Sequence, residues 1–556
     1  MPQNGRKKPH INLSPRAFWL WAAVFVLLRC GITLFQQGYI WVGGAPLDDE
    51  LMFRTANAIT NGQWLGAYDD LTLSKSSFFA VWLALLHALH LPYLLGGALL
   101  WCGAALLAGF AFAPLWQKKR GVTLAVFGLL AFLPSSWASY TLRIYRDNIF
   151  PALCLFCFAG FAGALLRVWR AQKQPPKTAL WPWLLAGGLG LASGFLNRED
   201  AGAFLLPYAA VCTLLMLVLL AKRRRWPAML WQALPYGLLC AGALAFCILN
   251  YQNYGVFALS DFSAGAFANA MGAMSRVDSA YIPLVAVSEE AREKLYAAVP
   301  ELAVLRPWLE EDPQMRNDFK DPELGDYRAG SFYWAIRRAA QFEGVYADAK
   351  TAAAYWQGVA DTINARCDDG TLPARTGERS GTTAPIRAEH ILPVLRESVR
   401  SLYWTLTFQN CPASEAQRSI GTEADFAQWS GYLHCDFNSA AEAGKDTPYY
   451  SPTQKLVFGL LGGVRLLYAA ALTLGFALAV FCWARGIFRR RKGEGMVWGL
   501  LTLLLFMAAL RCGMIAFVEV SSFGIGTSTM YLSTVHPLLL LFTAGSLAHT
   551  ACKESI

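Results

Sequence analysis

Residues 201–221 have the sequence AGAFLLPYAAVCTLLMLVLLA, and the basic run KRRR follows them directly at 222–225. The apolar stretch has no charged residue and is close to the length of about 20 residues that an α-helix needs to cross a bilayer. Lys and Arg beside such a helix are typical of the cytoplasmic end of a transmembrane segment. This stretch therefore predicts a membrane-spanning helix whose C-terminal end faces the cytoplasm.

The same pattern recurs along the 556 residues, of which 55% are hydrophobic. It predicts an all-α polytopic membrane protein, since a soluble chain of this size would need more polar surface, and the continuous runs disfavour an alternating β-barrel. The net charge of +10 comes from short basic runs beside apolar helices, which does not indicate nucleic acid binding. About ten transmembrane helices are predicted, at 17–35, 93–116, 121–139, 148–168, 178–196, 201–221, 228–249, 455–483, 496–518 and 527–548.

Basic residues fall at alternating ends of these helices, which predicts that both termini are cytoplasmic in a multi-pass inner (plasma) membrane protein. Residues 76–91 are apolar, but counting them as a span would move the later basic loops outside, so we expect a helix lying at the outer face. The first apolar run is expected to be a retained helix rather than a cleaved signal. The basic segments are 6–8 with Arg16, 118–120, 167–177, 222–225 and 485–492.

This topology divides the chain into three parts. An N-terminal transmembrane module, 1–249, has outer loops at 36–92, 140–147 and 197–200. A mostly α soluble domain, 250–454, is inserted between helices seven and eight on the extracytoplasmic side, and 455–556 contains the last transmembrane helices. Helical periodicity within the soluble domain appears at 333–340 and 352–365, and 367–385 is rich in turns. Most cysteines lie in apolar runs. Cys367, Cys411 and Cys435 lie in the hydrophilic region, and one pair of them could form a disulfide if this region faces an oxidising space.

The predicted outer loops contain acids together with bases, whereas the inner loops contain basic runs and little else. Such asymmetry indicates a site at the outer membrane surface. The residues concerned are Asp48, Asp49, Glu50, Arg54, Asp69, Asp70 and Lys75 in the first loop, Arg143, Arg146 and Asp147 in the second, Asn197, Arg198, Glu199 and Asp200 in the third, and Glu519 in the last.

Each group also has a purely structural interpretation. Asp48 and Asp49 could begin a helix, where acids complement the dipole and bind free N–H groups; alternatively, one acts as a general base or holds a metal. Arg143 and Asp147 are spaced i, i+4 and could pair on one helix face, leaving Arg146 free for an anionic ligand. The segment 197–200 could equally cap two helices across a tight turn.

Three arginines lie within predicted helices, in the outer half of the bilayer: Arg29, Arg465 and Arg511. No acid lies at a matching depth inside a helix, so another anion, such as a lipid phosphate, would have to pair with them. Snorkelling of each arginine to the headgroups is the structural alternative. His536, in the outer half of the last helix, either belongs with these arginines or makes a packing contact.

Taken together, these motifs resemble those of GT-C glycosyltransferases, membrane enzymes that use polyprenyl-phosphate-linked sugars. The family has a long outer loop that opens with an acid or acid pair, followed by an apolar juxtamembrane helix often preceded by Lys and small residues. Here the loop reads LDDE at 47–50 and LSKSS at 73–77 before the apolar segment 78–91. Arg146–Asp147 matches the acid that is typical of the second outer loop. The likeness is best over the first 250 residues.

The resemblance implies a hexosyl- or pentosyltransferase of the cell envelope in which Asp48 or Asp49 is the catalytic base and Asp147 assists. Lys75 and outer arginines would bind the donor phosphate; the candidate arginines are Arg29, Arg143, Arg146, Arg198, Arg465 and Arg511. Further candidate site residues are Glu199, Asp200 and His536. The expected partners are the bilayer, a polyprenyl-phosphate-linked sugar and a glycan, lipid or protein acceptor. No cofactor is required, although Asp48 and Asp49 are compatible with a divalent cation.

Two departures from the family pattern stand out. Many relatives have an Arg–Tyr pair at the outer start of a late helix, followed by a Pro in an apolar run; here Met530–Tyr531 precedes His536–Pro537, so the Arg is missing and Arg511 is the candidate substitute. The inserted domain also lies before helix eight rather than at the C-terminus.

The competing function classes are a transporter or flippase of a lipid-linked glycan and a non-catalytic scaffold. A transporter would need polar or broken midplane helices and often repeats, which the sequence lacks.

Overall fold

A computed structural model of the chain describes residues 13–171, 179–375, 381–489, 494–524, 526 and 528–553. The basic residues 6–8 and 490–492, and most of the loop 172–177 and its flanks, lie outside the described residues. Helices dominate throughout these described residues, and the numbers of helices and strands given below refer to them alone.

The first part of the chain contains ten α-helices. Ser14 caps the first of them by accepting a hydrogen bond from the Ala17 N–H, and proline occupies the first turn of several others, where its missing N–H costs nothing. The helices are α1 (Pro15–Ile32), α2 (Leu51–Thr60), α3 (Phe78–Ala88), α4 (Tyr93–Phe112), α5 (Arg120–Ala131), α6 (Phe150–Arg170), α7 (Trp181–Asn197), α8 (Ala201–Lys222), α9 (Trp226–Leu230) and α10 (Leu234–Tyr254).

The hydrophilic middle part contains eight more α-helices and one two-stranded antiparallel sheet. The helices predicted at 333–340 and 352–365 are confirmed as parts of α15 and α16. The elements are α11 (Ala266–Met274), α12 (Glu289–Ala298), α13 (Pro300–Ala303), α14 (Pro313–Phe319), β1 (Lys320–Asp321), β2 (Asp326–Tyr327), α15 (Ala329–Phe342), α16 (Ala349–Asp368), α17 (Ala388–Thr407) and α18 (Glu423–Leu433).

The last part contains four α-helices: α19 (Pro452–Phe488), α20 (Gly495–Val518), α21 (Ser528–Tyr531) and α22 (Val535–Lys553). Ser451 and Gln454 form a reciprocal capping box that starts α19. The final helix predicted at 527–548 is wrong at its start, because a turn at 532–534 separates α21 from α22, and Pro537 lies in the first turn of α22, where proline is tolerated.

Eight helices of the described chain are long and apolar enough to cross a membrane, and a bent pair would make a ninth. The bent pair corrects the single helix predicted over 121–139: α5 ends at Ala131, and after Pro134 the chain continues at an angle of 53° as short 3₁₀ turns up to Thr141. α7 has only 17 residues and lies between α6 and α10. The chain is thus a multi-pass helical membrane protein, and the total of ten spans stays a prediction.

The loops fall at two ends of the helix bundle, as the charge pattern predicts. At the end that we call the basic end, Arg120 donates to the Leu13 carbonyl at 3.4 Å, Gln117 donates to Cys552 at 3.2 Å and Arg223 donates to Ala171 at 3.2 Å. The other end, which we call the site end, holds the loops around residues 38–75, 134–149 and 197–200. The segment at 76–91 forms α3, which has 11 residues and is too short to cross a bilayer.

The middle part is organised around two packing arrangements. Residues 267–372 share a core of their own, separate from that of the spanning helices. Residues beyond it return to the bundle: α17 packs on α20 and α19, and α18 packs on the first loop, where Trp429 stacks on Phe53 with ring centroids 4.1 Å apart.

All thirteen cysteines are free thiols. Cys367, Cys411 and Cys435 belong to three different packing clusters, so the predicted disulfide pairing is wrong.

Candidate functional site

Five separate segments bring charged side chains together at the site end. They are the π-helical turn Pro46–Glu50, the loop before α3, residues 143–147, the turn between α7 and α8, and α20. We call the resulting group the site cluster, and it contains five acids and five bases: Asp48, Asp49, Lys75, Arg143, Arg146, Asp147, Arg198, Glu199, Asp200 and Arg511. The sequence predicted every one of these residues as a site candidate, and the structure joins them.

Asp48 is the exposed member of the Asp48–Asp49 pair, with 31% of its side chain exposed. Its Oδ1 accepts a short hydrogen bond from Lys75 Nζ, and its Oδ2 lies 3.3 Å from Arg143 Nη2. Burial tends to raise the pKa of Asp48, but Lys75 and then Arg143 lower that pKa well below its usual value. Asp48 is therefore an ionised carboxylate held between two cations.

Asp49 is fully buried, and both of its carboxylate oxygens are occupied. Arg143 Nε donates to Oδ1 at 2.7 Å, and the Trp41 backbone N–H donates to Oδ2 at 3.0 Å. Burial raises the pKa of Asp49 to about 7, opposed by Arg143 and reinforced by the neighbouring Asp48 charge. Asp49 thus orients Arg143 but has no surface open to a ligand.

The predicted ion pair between Arg143 and Asp147 is wrong. The backbone at Tyr145 is extended, with φ −146° and ψ 161°, and a 3₁₀ turn rather than an α-helix follows at 146–148. The i, i+4 spacing brings side chains together on an α-helix, which does not form here. Arg143 instead forms ion pairs with Asp48 and Asp49, while Asp147 forms an ion pair with Arg198 in the loop between α7 and α8.

Asp147, Arg198, Asp200 and Arg511 form a continuous ion chain. Arg198 Nη1 contacts both Asp147 oxygens at 3.0 Å, its Nε lies 3.0 Å from Asp200 Oδ1, and Arg511 Nη1 lies 2.6 Å from Asp200 Oδ2. Burial raises the pKa of Asp147, whereas Arg198 and Arg511 overcome burial and lower the pKa of Asp200 far below its usual value. The expectation that Arg511 lacks an acidic partner is wrong.

Arg146 is not free, contrary to prediction. Its Nη1 lies 2.9 and 2.8 Å from the two Glu199 oxygens, and its Nη2 donates to the Tyr145 hydroxyl at 3.0 Å. Glu199 also accepts the Ser76 backbone N–H at 2.7 Å, which ties the α7–α8 turn to the start of α3. Despite burial, Arg146 keeps the pKa of Glu199 below its usual value. Neither Glu199 nor Asp200 caps a helix through its side chain.

Exposure divides the site cluster into a sealed layer and an open layer. Asp49 and Asp147 have no exposed side-chain surface, and Arg511 has none either. By contrast, Asp48, Glu199 and Asp200 are each about one-third exposed (31%, 30% and 31%). A ligand can therefore meet three ionised carboxylates and their cations from one side, while the buried acids fix those cations from behind.

Aromatic side chains line the site cluster, and the sequence analysis missed most of them. Lys75 Nζ lies 5.3 Å from the ring centroids of both Tyr145 and Trp334, and Trp334, from α15, stacks on Phe262 at 4.5 Å. Tyr531 packs over the Arg198 guanidinium at 4.6 Å. The middle part of the chain thus contributes an aromatic wall, and no local motif around Trp334 signals it.

Two predicted phosphate ligands, Arg29 and Arg465, and the further candidate His536 form no ion pair with the site cluster, although Asp147 lines the same small cavity as Arg29. The buried Arg29 guanidinium donates to the Ser136 carbonyl, and its other two nitrogens face a cavity of about 20 Å³, room for about one water. Arg465 has no ion pair among the described residues and is partly buried in α19. His536 is buried at the start of α22, where it stacks on Phe408 with centroids 4.9 Å apart. These three residues do not join the site.

The Asp48–Asp49 pair does not fit a divalent cation. Its oxygens engage Lys75, Arg143 and the Trp41 amide, so a cation would have to displace positive charge from the same atoms. Among the described residues, no group of three or more His, Cys, Asp or Glu side chains is arranged to hold a metal. No step of a reaction at this site is assigned to a metal ion.

The chain matches no protein-family model, no curated protein and no solved structure. Its function must therefore be argued from the geometry of the site itself.

Proposed function

We propose that the protein is an integral membrane glycosyltransferase of GT-C type. It moves a hexose or pentose from a polyprenyl-phosphate donor to an acceptor hydroxyl at the outer face of the plasma membrane. The observation that supports this best is the convergence of five acids and five bases from five segments at the site end of the bundle, where Asp48 is one of three carboxylates that stay about one-third exposed (31%, 30% and 31%). A structural ion network alone would not need to leave that carboxylate open.

Asp48 is the proposed general base. It is the exposed member of the acid pair, whereas both oxygens of Asp49 are occupied by Arg143 and Trp41. In the free protein Lys75 and Arg143 hold Asp48 ionised. A donor phosphate that binds Lys75 and Arg143 competes with Asp48 for these cations, so the proton affinity of Asp48 rises when the donor is in place. Donor binding would thereby prepare the base.

In the proposed step, the acceptor oxygen attacks the anomeric carbon and its proton passes to Asp48. The bond from that carbon to the phosphate oxygen breaks with both electrons staying on the phosphate. Lys75 and Arg143 stabilise the charge that develops there, because guanidinium and ammonium groups hold phosphate oxygens strongly. Direct displacement of this kind inverts the anomeric configuration.

The other members of the site cluster are proposed as positioning residues. Asp49 holds Arg143, and Asp147 with Asp200 holds Arg198 between α6 and α8. Five acids balance five bases, so the unliganded cluster is close to neutral when all ten residues are ionised. The raised pKa values of Asp49 and Asp147 allow these acids to take up protons as the anionic donor enters. The cluster can therefore accept a phosphate without a new counter-ion.

Trp334, which is partly exposed, suits the sugar of the donor, whereas the buried Tyr145 contacts Lys75 through its hydroxyl. Pyranose and furanose rings present C–H faces that pack on aromatic rings, and both aromatics lie within 5.3 Å of Lys75 Nζ. The isoprenoid chain would then leave the site along the apolar surface of the spanning helices.

The test uses purified protein in lipid nanodiscs with radiolabelled polyprenyl-phosphate sugars. Wild type is compared with Asp48→Asn and Asp49→Asn, with lipid, glycan and protein fractions of the source membrane as acceptors. We expect label to leave the lipid in wild type, to stay there in Asp48→Asn, and to leave more slowly in Asp49→Asn because Arg143 loses its orienting partner.

Two outcomes would contradict the proposal. Equal turnover by wild type and Asp48→Asn would remove Asp48 from the chemistry. Movement of intact labelled lipid from one leaflet to the other, without loss of sugar, would make the protein a transporter or flippase instead.

A further inference from the structure

The helix α17 has one polar, buried face and one apolar, exposed face. His390, Ser401 and Thr405 are buried against neighbouring helices. The opposite side exposes a continuous stripe of large apolar side chains, each more than half accessible: Ile391, Leu392, Leu395, Val399 and Tyr403. Such a stripe in contact with water would be unfavourable, so something apolar is expected to cover it.

The ends of α17 contact spanning helices. Near its start, the His390 ring lies 5.9 Å from the Phe517 ring of α20. Near its end, the Leu406 carbonyl accepts a hydrogen bond from the Thr473 hydroxyl of α19 at 3.3 Å. Phe408, which follows α17 directly, stacks on His536 of α22. α17 therefore crosses the bundle surface from α20 to α19.

The helical rise gives the depth of these contacts. Trp498, near the basic end, packs against Gly486 and lies 5.4 Å from His549, so these residues define a common level in α20, α19 and α22. At 1.5 Å per residue, Phe517 lies about 28 Å above this level, whereas Thr473 and His536 lie only about 20 Å above it.

The consequence is a shallow slope. Between His390 and Leu406 the helix is about 24 Å long but descends only about 8 Å. A hydrocarbon core of about 30 Å that begins near the Trp498 level would end close to Phe517. α17 would then lie nearly parallel to the membrane plane, within the outer third of the core on the site side.

We propose that α17 is an interfacial helix that rests in the bilayer leaflet at the site end, with its apolar stripe against lipid acyl chains. Helices of this type insert about 5–10 Å below the headgroups, which matches the depth above. The end of α17 lies beside α19 at Thr473, where the neighbouring Leu474 is 73% exposed. The proposal is independent of the proposed transferase activity.

The charges of α17 agree with this placement. Arg400 is half exposed and lies over the Trp404 ring at 4.2 Å, and Arg396 is exposed one turn earlier. Arginine side chains are long enough to reach lipid headgroups while their stems stay on an apolar surface. An interfacial helix accommodates such residues, whereas a helix crossing the core would not.

The test places a genetically encoded, polarity-sensitive fluorescent amino acid at Leu395 of the full chain in nanodiscs. Leu478 of α19, which is 54% exposed and lies about 12 Å above the Trp498 level, serves as the deep control, and Ala354 on the exposed side of α16 serves as the aqueous control. Lipids with a spin-label quencher near the headgroup or near the chain end report depth.

We expect blue-shifted emission at Leu395 and quenching that is stronger, at least about twofold, with the shallow quencher than with the deep one. Leu478 should show the reverse order, and Ala354 should not be quenched. Emission at Leu395 that matches Ala354 would overturn the proposal, because the stripe would face water or protein. Stronger quenching by the deep quencher would also overturn it, because α17 would then enter the core.

Discussion

Two of the ion networks among the described residues differ in how far their acids are exposed. In the core of residues 267–372, Arg292 lies 2.6 Å from Glu310 and 2.8 Å from Asp326, and Lys320 completes the group at 3.0 Å from Glu310. Glu310 and Asp326, the two acids that pair with Arg292, are almost fully buried, at 7% and 6% side-chain exposure, while Glu289, which lies 3.6 Å from Lys320, is 58% exposed. The site cluster is built from similar pairs, yet three of its five acids are about one-third exposed.

The sources of the two networks differ as well. The Arg292 network comes from a single stretch between Val287 and Tyr327, so it ties neighbouring segments of one core. The site cluster joins segments as far apart as Asp48 and Arg511. Long-range convergence of partly exposed ionisable groups is typical of a ligand site, whereas a local, buried network is typical of a structural role. On this comparison we propose chemistry for the site cluster and a stabilising role for the Arg292 network.

Replacing one aspartate in each network is expected to give the largest difference, which is a difference in sugar-transfer activity. Asp48→Asn is expected to lower sugar transfer by about 100- to 10,000-fold, the usual contribution of a general base. Asp326→Asn, in the Arg292 network, should leave transfer per folded molecule within about twofold of wild type. Radiolabel release in nanodiscs, normalised to monodisperse protein, measures both. Similar losses in the two variants would erase the distinction.

Stability should show the opposite order. Glu310→Gln leaves Arg292 buried with a weakened partner, which typically costs about 3–5 kcal/mol when a buried pair is broken. Asp48→Asn should cost much less, because Asp48 is partly exposed and Lys75 retains the Tyr145 hydroxyl at 3.3 Å. Thermal unfolding in detergent provides the comparison. A larger loss of stability in Asp48→Asn would indicate that the site cluster is structural.

The pH dependence of stability offers a subtler test. Because the pKa of Asp49 is about 7 in the folded chain and ordinarily 3.8, the folded state binds more protons between these values. The Asp49 contribution to stability therefore falls as the pH rises from about 4 to 7 and is level above that. Asp49→Asn should flatten this part of the curve of apparent Tm against pH. An unchanged slope would show that Asp49 does not titrate there.

The smallest effect is expected from the aromatic wall. Trp334→Ala should raise the KM for the lipid-linked sugar by about three- to tenfold, the effect of about 0.5–1.5 kcal/mol of lost ring contact, with a smaller change in kcat. Trp308→Ala is the matched control, since Trp308 packs on Phe342 with centroids 4.7 Å apart in the same part of the chain. Equal effects of the two substitutions would remove Trp334 from the site.

The residues of the site cluster were predictable from the sequence because apolar runs and basic loops place them at one end of the bundle. Their pairing was not. Arg511 looked unpaired because Asp200 lies outside the helices, but a long arginine side chain reaches from within α20 to the start of α8. The Arg143–Asp147 pair failed because the chain between them forms a bend and a 3₁₀ turn rather than an α-helix.

Features that depend on tertiary packing could not be predicted from the sequence for a related reason. α17 contains Arg, Glu and Pro, so its mean hydropathy resembles that of a soluble helix, and only its neighbours α19 and α20 reveal its place. Trp334 is one aromatic of many, and its approach to Lys75 depends on how residues 267–372 pack over the first loop. Periodicity predicts such helices correctly but does not indicate what they contact.

The central claim is that the open ion network binds a lipid phosphate and the sealed one does not. Each network offers one lysine of similar burial, Lys75 at 9% and Lys320 at 12% exposure. Native mass spectrometry of the protein released from nanodiscs can count bound polyprenyl phosphate in wild type, Lys75→Gln and Lys320→Gln. We predict that one lipid binds wild type and Lys320→Gln, and that Lys75→Gln weakens binding at least about tenfold. Equal binding by all three proteins would contradict the account.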